Sequence, residues 1–328
     1  MSYVCQDLVK VEINIARSEL FEQFINEAIV VDDFKKVCIT RRKDLDDSFI
    51  TGPEYHTSEY WAVITMDMDP IDYPKSMPVL NYDRRTLEKF MEAGAIQHNQ
   101  IYNHPEARES ISSKSEFYKL HVDSEYIIPT VTNAEDVDKL TFPVVAKPDN
   151  EHSGLGITVF KDAKEFENAD LSKFTSFSEK ISIKEEHRYW LWRGELIQWA
   201  QRIPMDDETA DISKKDPEKE TNFSYICKDI KNIKDSHIKA CRYFSDMHSD
   251  LDFYAIDVAE TKDGKVYVFE MNSEPGALFG IMTELYKRIY EDYYETELSQ
   301  ETIDLLKKFK AEDSAQNTKQ NPIWKLEK

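Results

Sequence analysis

The sequence predicts a mixed α/β and α+β chain of two or three subdomains, and three observations carry that reading. In the first third, an apolar run, a Pro- and Asp-rich loop and an amphipathic helix follow one another, the order of an α/β unit. Further along, two pairs of apolar runs are each separated by a polar, glycine-bearing turn, the pattern of antiparallel hairpins. With 328 residues, 41% of them apolar, the chain holds more core-forming material than one small domain uses.

The elements follow in order. Ala62 to Met66 reads as a buried strand that ends at Asp67-Met68-Asp69-Pro70. Thr86 to Gly94 has Leu87, Phe90 and Met91 at helical spacing, with Thr86 as the expected N-cap and Gly94 as the stop. A short helix is expected over Ser112 to His121, and an extended segment over Ile127 to Thr130. Phe142 to Lys147 is a strand stopped by Pro148, and the loop through Ser153-Gly154-Leu155-Gly156 leads back into a strand ending at Phe160. Met205 to Glu220 is almost wholly polar and is expected to be an exposed insertion. Strands over Phe253 to Ala259 and Lys265 to Met271 flank a turn ending at Gly264. Helices from about Ile281 to Tyr294 and Gln300 to Lys310 come next, and the polar residues after 312 are expected to fray.

Composition narrows the function classes. Forty-two Lys and Arg stand against 63 Asp and Glu, a net charge of −21, with no basic stripe for a phosphate backbone, so nucleic acid is not the expected partner. Cys5, Cys38, Cys227 and Cys241 are far apart with no CxxC pair, as expected for free thiols in a reducing compartment. No run approaches the length of a membrane span, and the first residues lack a basic segment followed by an apolar one, so a cytoplasmic protein without membrane partners is expected. Eight glycines are about a third of average usage, and four of them cluster as Gly154 with Gly156 and Gly276 with Gly280.

Asp257, Glu270 and Asn272 are the chemically informative group. Residues two apart on a strand share a face, so Glu270 and Asn272 point the same way, and an antiparallel neighbour brings Asp257 to that face. An all-oxygen set of this kind suits magnesium, which is usually held by carboxylates together with substrate phosphates. Any one of these carboxylates alone reads as acidic surface. Glu270, however, follows the apolar Val266-Tyr267-Val268-Phe269, where an unpaired charge is costly. Lys147 ends a buried strand just before the glycine loop, whose backbone N–H groups can cradle a phosphate. The Ser-Gly-x-Gly tip by itself is more often just a turn, Lys114 by itself ordinarily a solvated helix lysine, and Trp190-Leu191-Trp192 core rather than a base-stacking box.

The order of the pieces adds a resemblance. Ser113-Lys114, Pro129-Thr130, Pro143-Val144-Val145-Ala146-Lys147-Pro148, Ser153-Gly154-Leu155-Gly156, Glu179-Lys180-Ile181, Glu186-His187-Arg188, Arg202, Asp257 and Glu270-Met271-Asn272-Ser273-Glu274-Pro275-Gly276 resemble the ATP-grasp superfamily from about residue 100 to 285. Within it the chain is similar to bacterial glutathione synthetases and ribosomal-protein glutamate ligases, with looser matches at Asp67-Met68-Asp69-Pro70 and Ile101-Tyr102-Asn103-His104-Pro105.

That resemblance implies an ATP-grasp fold behind an amino-terminal α/β domain. The implied boundaries are 1–110, a small subdomain over 111–178, a large subdomain with the metal site over 179–312, and a polar tail over 313–328. It implies Lys114 and Lys147 on the α- and β-phosphates under a loop with Ser153, Gly154 and Gly156. Glu179, Lys180 and Ile181 would meet the adenine edge, and Glu186 the ribose. Asp257, Glu270 and Asn272 would hold two Mg2+ ions, or Mn2+ in their place, with Arg202 and Arg188 on the moving γ-phosphate. The implied activity is ADP-forming ligation of a carboxylate to an amine through an acyl-phosphate, on small-molecule, peptide or protein substrates, in a dimer or tetramer. An ATP-grasp kinase and a catalytically silent nucleotide-binding module are the rival readings. One departure bears on the acceptor: Asn222 is followed by Phe223-Ser224-Tyr225, where these ligases often carry paired glycines. Another is Phe253-Tyr254-Ala255-Ile256 before Asp257, where relatives commonly carry a glycine.

Overall fold

The computed structural model describes residues 36–41, 61–73, 76–149, 156–204, 223–275, 279–307 and 324–326. In chain order the elements are β1 (Cys38–Arg41), β2 (Ala62–Thr65), β3 (Val79–Leu80), α1 (Arg84–Glu92), β4 (Ile101–Tyr102), α2 (Pro105–Glu109), α3 (Lys114–His121), β5 (Thr130–Val131), β6 (Val144–Lys147), β7 (Thr158–Phe160), α4 (Ala163–Glu167), β8 (Ser176–Glu179), β9 (Ile183–Trp192), β10 (Glu195–Pro204), β11 (Phe223–Lys228), α5 (Asp235–Met247), β12 (Phe253–Thr261), β13 (Val266–Asn272), α6 (Phe279–Tyr294) and β14 (Trp324–Leu326). The chain divides into two compact units. One comprises residues up to Leu80 with Arg85–Gln100 and Leu278–Glu312; the other comprises Asn81–Arg84, Ile101–Ala277 and Asp313–Lys328.

In the first unit β1 runs parallel to both β2 and β3, the arrangement that places apolar residues on both faces of a strand. Cys38, Ile39, Val79 and Leu80 are accordingly fully buried. Helix α6 covers this core with Ile281, Leu285, Tyr286 and Ile289, and Tyr286 meets Trp61 edge-on at 5.3 Å. The expected boundary at 312 assigned this helix to the metal-bearing half, whereas it groups with the amino-terminal strands because its apolar face lies on them. Helix α1 also departs from expectation. It begins at Arg84, and Thr86 is wholly buried inside it rather than capping it, while Gly94 takes the left-handed conformation (φ +69°) that ends it.

The second unit contains two sheets. Strands β5-β8-β6-β7 form the smaller one, wholly antiparallel. One of its faces packs Val144, Ala146 and Phe177 on Phe160, Phe166 and Phe174, so strand alternation turns Val145 and Lys147 to the other face. The larger sheet has the order β13-β12-β9-β10-β11-β14. Its core includes Tyr189, Trp199, Tyr254, Ile256, Val258 and Val268 under Cys241 and Phe244 of α5. Trp190, Leu191 and Trp192 are buried, as core rather than as a base-stacking surface. The polar tail, expected to fray, instead supplies β14, which pairs parallel with β11. Cys38, Cys227 and Cys241 are buried. Among the described residues no helix is long and apolar enough to cross a membrane. Cys5, the first 35 residues and the insertion over 205–220 lie outside the described residues.

Candidate active site

The charged face of the larger sheet is built by register. Asp257 on β12 lies opposite Arg188 on β9 and Glu270 on β13, Arg202 on β10 lies opposite Glu186, and Asn272 lies opposite Ala255. Alternation along each strand then puts Glu186, Arg188, Arg202, Asp257, Glu270 and Asn272 on one face. A bulge in the β12–β13 ladder gives Val258 the partner Val268 while Asp257 keeps Glu270, leaving Phe269 without a register partner.

The charges on this face are only partly balanced. Arg188 binds Asp257 in a two-pronged pair, Nε to Oδ1 and Nη2 to Oδ2, each 2.6 Å. Arg202 Nη1 donates to Glu186 Oε2 at 3.1 Å. Burial pushes Asp257 up, but Arg188 outweighs it and holds the carboxyl below its ordinary range. Burial raises Glu186 despite Arg202. Glu270 is also raised, first by burial and then by the Asp257 charge, with Arg188 and Lys114 opposing. Two half-buried carboxylates that share a face with one arginine bound to one of them are short of positive charge. A divalent cation with oxygen ligands corrects that deficit, so the donor set fits magnesium. Asn272 shares the face, and its Oδ1 accepts from the Glu274 N–H at 2.8 Å, closing a local turn.

The smaller sheet and α3 carry the cationic side. Ser113 caps α3 by accepting from the Glu116 N–H at 3.1 Å, which sets Lys114 at the first helical position. Asp149 then ties this helix end to the end of β6: its carboxylate accepts from the Ser115 N–H (2.9 Å) and hydroxyl (2.8 Å), and its carbonyl from Lys114 Nζ (3.4 Å). Lys147 Nζ donates to the Tyr118 hydroxyl at 2.7 Å. At the sheet's exit the Glu179 carboxylate accepts from the Thr141 N–H at 2.8 Å and the Lys180 N–H donates to the Pro143 carbonyl at 2.8 Å, which fixes the chain ahead of Ile181. Gly156 closes the glycine loop with φ +70°. Ser153 and Gly154 lie outside the described residues.

Three features of this region are not apparent from the motifs. Tyr118 lies one helical turn beyond Lys114, an i,i+4 spacing that puts both on one face of α3 and is the signal that could have found it. Arg108, buried, donates from Nε to Ser273 Oγ (2.9 Å) and from Nη1 to the Asn81 carbonyl (3.2 Å), and pairs with Glu274. Asn103, in the left-handed region at φ +59°, accepts from the N–H groups of Asp252 and Phe253 and donates to the Phe253 carbonyl at 2.6 Å. Together Arg108 and Asn103 hold the chain on either side of Asp257 and Asn272.

A family model described as an ATP-grasp domain, the third family of its clade, matches residues 68–274, well over half of the chain. This chain belongs to that family. Solved structures give the same fold. The D-alanine–D-alanine ligase of Bacillus anthracis complexed with ATP is 16% identical over 83% of this chain and 98% of its own, with a TM-score of 0.52. The D-Ala:D-Ser ligase VanG of Enterococcus faecalis is 14% identical over 84% and 99%, TM-score 0.52. The ATP-grasp ligase PsnB, complexed with minimal precursor, Mg and ADP, is 14% identical over 78% and 97%, TM-score 0.51. No curated protein matches the sequence. The paired sheets, the hairpin β6–β7 and the carboxylate-bearing strands β12 and β13 of this chain are thus those of an ATP-grasp domain.

Proposed function

We propose that this ATP-grasp protein is an ADP-forming carboxylate–amine ligase. The observation that carries the reading is the half-buried Asp257 and Glu270 pair, short of positive charge, on the same sheet face as Arg188 and Arg202, in a unit that also presents Lys114 and Lys147. Phosphoryl transfer depends on placing the reactants and neutralising their charge more than on a protein nucleophile, and this residue set offers that.

Lys114 and Lys147 take the α- and β-phosphates, with Ser153, Gly154 and Gly156 closing over them. Glu179, Lys180 and Ile181 border the adenine, and Glu186 the ribose. Arg202 and Arg188 face the γ-phosphate. Asp257, Glu270 and Asn272 would hold the magnesium ions, which would supply charge neutralisation for the phosphates. A substrate carboxylate oxygen attacks the γ-phosphorus and the bond to the β-phosphate oxygen breaks, releasing ADP. The amine nitrogen of the acceptor then attacks the acyl carbon, the C–O bond to phosphate breaks, and the departing phosphate takes the proton lost by nitrogen, leaving an amide. Exclusion of water protects the acyl-phosphate meanwhile. The widely spaced cysteines, with no CxxC pair, fit a reducing, cytoplasmic setting.

The ligases it resembles in fold were solved with ATP, or with Mg, ADP and a precursor. The test is ADP release from ATP and magnesium in the presence of pools of amino acids, di-acids, peptides and proteins, with mass spectrometry of the products. Acceptor-dependent ADP with an amide product supports the ligase. A phosphorylated product without an amide would show a kinase, and ATP binding with no acceptor-stimulated ADP a silent module.

A further inference from the structure

We infer that Tyr118 is a positioning residue that fixes the Lys147 ammonium for the nucleotide and ties it to the strand bearing Glu270, an inference that rests on the ATP reading above. The Tyr118 hydroxyl accepts from Lys147 Nζ at 2.7 Å and donates to the Phe269 carbonyl at 2.9 Å. One phenol therefore links the end of β6, helix α3 and β13. The acceptor lies at the bulge, where Phe269 has no register partner on β12. The next residue is Glu270. Lys147 Nζ also lies 5.6 Å from the centre of the Phe269 ring, so one hydroxyl and one aromatic ring flank it.

What holds this lysine is as informative as where it is held. Arg188 and Arg202 are matched by carboxylates, Asp257 and Glu186. Among the described residues no carboxylate pairs with Lys147; its partners are a neutral hydroxyl and the Phe269 ring. Such partners direct the ammonium without cancelling its charge, which leaves that charge for an anion. Tyr118 can serve as a fixed support because it is 3% exposed and packs edge-on against Phe117 at 5.6 Å. A long, flexible lysine that is already directed loses less freedom on binding a phosphate.

The test is equilibrium binding of ATP with magnesium, and of adenosine, to the full-length protein by titration calorimetry. The proteins compared are wild type, Tyr118→Phe, Lys147→Ala, the double variant and Lys147→Arg, with thermal unfolding of each. Tyr118→Phe is expected to weaken ATP about tenfold, to leave adenosine affinity unchanged, and to add nothing in the Lys147→Ala background. Lys147→Arg keeps the charge but not the single point donor, and is expected to lose about as much as Tyr118→Phe. Wild-type ATP affinity in Tyr118→Phe or Lys147→Arg, an equal loss for adenosine, or an additive double variant would overturn the role of Tyr118. If the wild type does not bind ATP, the ATP reading itself falls, and this inference with it.

Discussion

Strand β9 carries charged residues on both of its faces, and the two faces treat them differently. On one, Glu186 and Arg188 join Arg202, Asp257 and Glu270, and the set is left short of positive charge. On the other, Glu185 and His187 lie beside Glu260 of β12. There Glu260 accepts from Lys184 (3.0 Å), from Lys234 (2.5 Å) and from His237 (3.2 Å), whose other ring nitrogen meets the Tyr189 hydroxyl at 2.6 Å. Burial pushes the Glu260 carboxyl up, yet the bonds from Lys234 and Lys184 outweigh it and hold it at about 2. A buried acid that finds its cations within the chain is a structural device. Asp257 and Glu270 have one bound arginine, Arg188, between two carboxylates, the deficit that the proposed cation would fill.

The largest expected effect comes from breaking the unbalanced face. Glu270→Gln should lower ATP turnover on the order of 100-fold or more, since a ligand for the phosphate-neutralising cation is lost. Its urea midpoint should stay within about 0.5 M of wild type or rise, because a raised half-buried carboxylate is replaced by a neutral group. The balanced face should give the reverse. Glu260→Ala leaves the buried His237 without its carboxylate and Lys184 and Lys234 with Glu185 alone, and should cost roughly 1–3 kcal/mol of stability. Turnover at a temperature where it remains folded should stay within about twofold of wild type. Equal effects of the two variants on turnover would remove the distinction between the faces.

A smaller, pH-dependent effect sharpens the same comparison. Burial, then the charge of His237, lowers His187 from 6.5 to about 4, and burial, then His248, lowers His121 to about 4. Between these values the unfolded chain binds more protons than the folded one, so stability is full above about pH 6.5 and falls as pH drops toward 4. The slope is up to about 1.4 kcal/mol per pH unit for each histidine. Glu260 acts later and with the same sign, its contribution being lost as pH falls from 4.5 toward 2. Urea unfolding at about pH 7 and about pH 5 should therefore show a lower midpoint at the acid value, and His187→Gln should reduce that difference.

The sequence made the unbalanced face legible because strand periodicity is local. Glu270 and Asn272 needed only i and i+2, Lys147 only an apolar run stopped by Pro148, and the motif order supplied the family. What it did not show depends on pairings distant in sequence. The two-pronged bond of Arg188 to Asp257 and the bulge at Phe269, whose carbonyl accepts from Tyr118, both follow from register, which no single strand specifies. Arg108 reads as an ordinary helix arginine until Ser273 and Glu274 come to it. Thr86 has the chemistry of a cap, but its burial assigned it to the core instead. The tail over 313–328 looked unable to pair, yet main-chain bonding to β11 requires no apolar pattern.

The most direct measurement is the thermal shift produced by magnesium with a non-hydrolysable ATP analogue in wild type, Glu270→Gln and Glu260→Gln. The account predicts that Glu260→Gln melts lower than wild type but keeps the full ligand-induced shift, while Glu270→Gln melts near wild type and loses most of it. A shift of equal size in all three proteins, or its loss in Glu260→Gln alone, would contradict the assignment of the unbalanced face as the nucleotide and metal site.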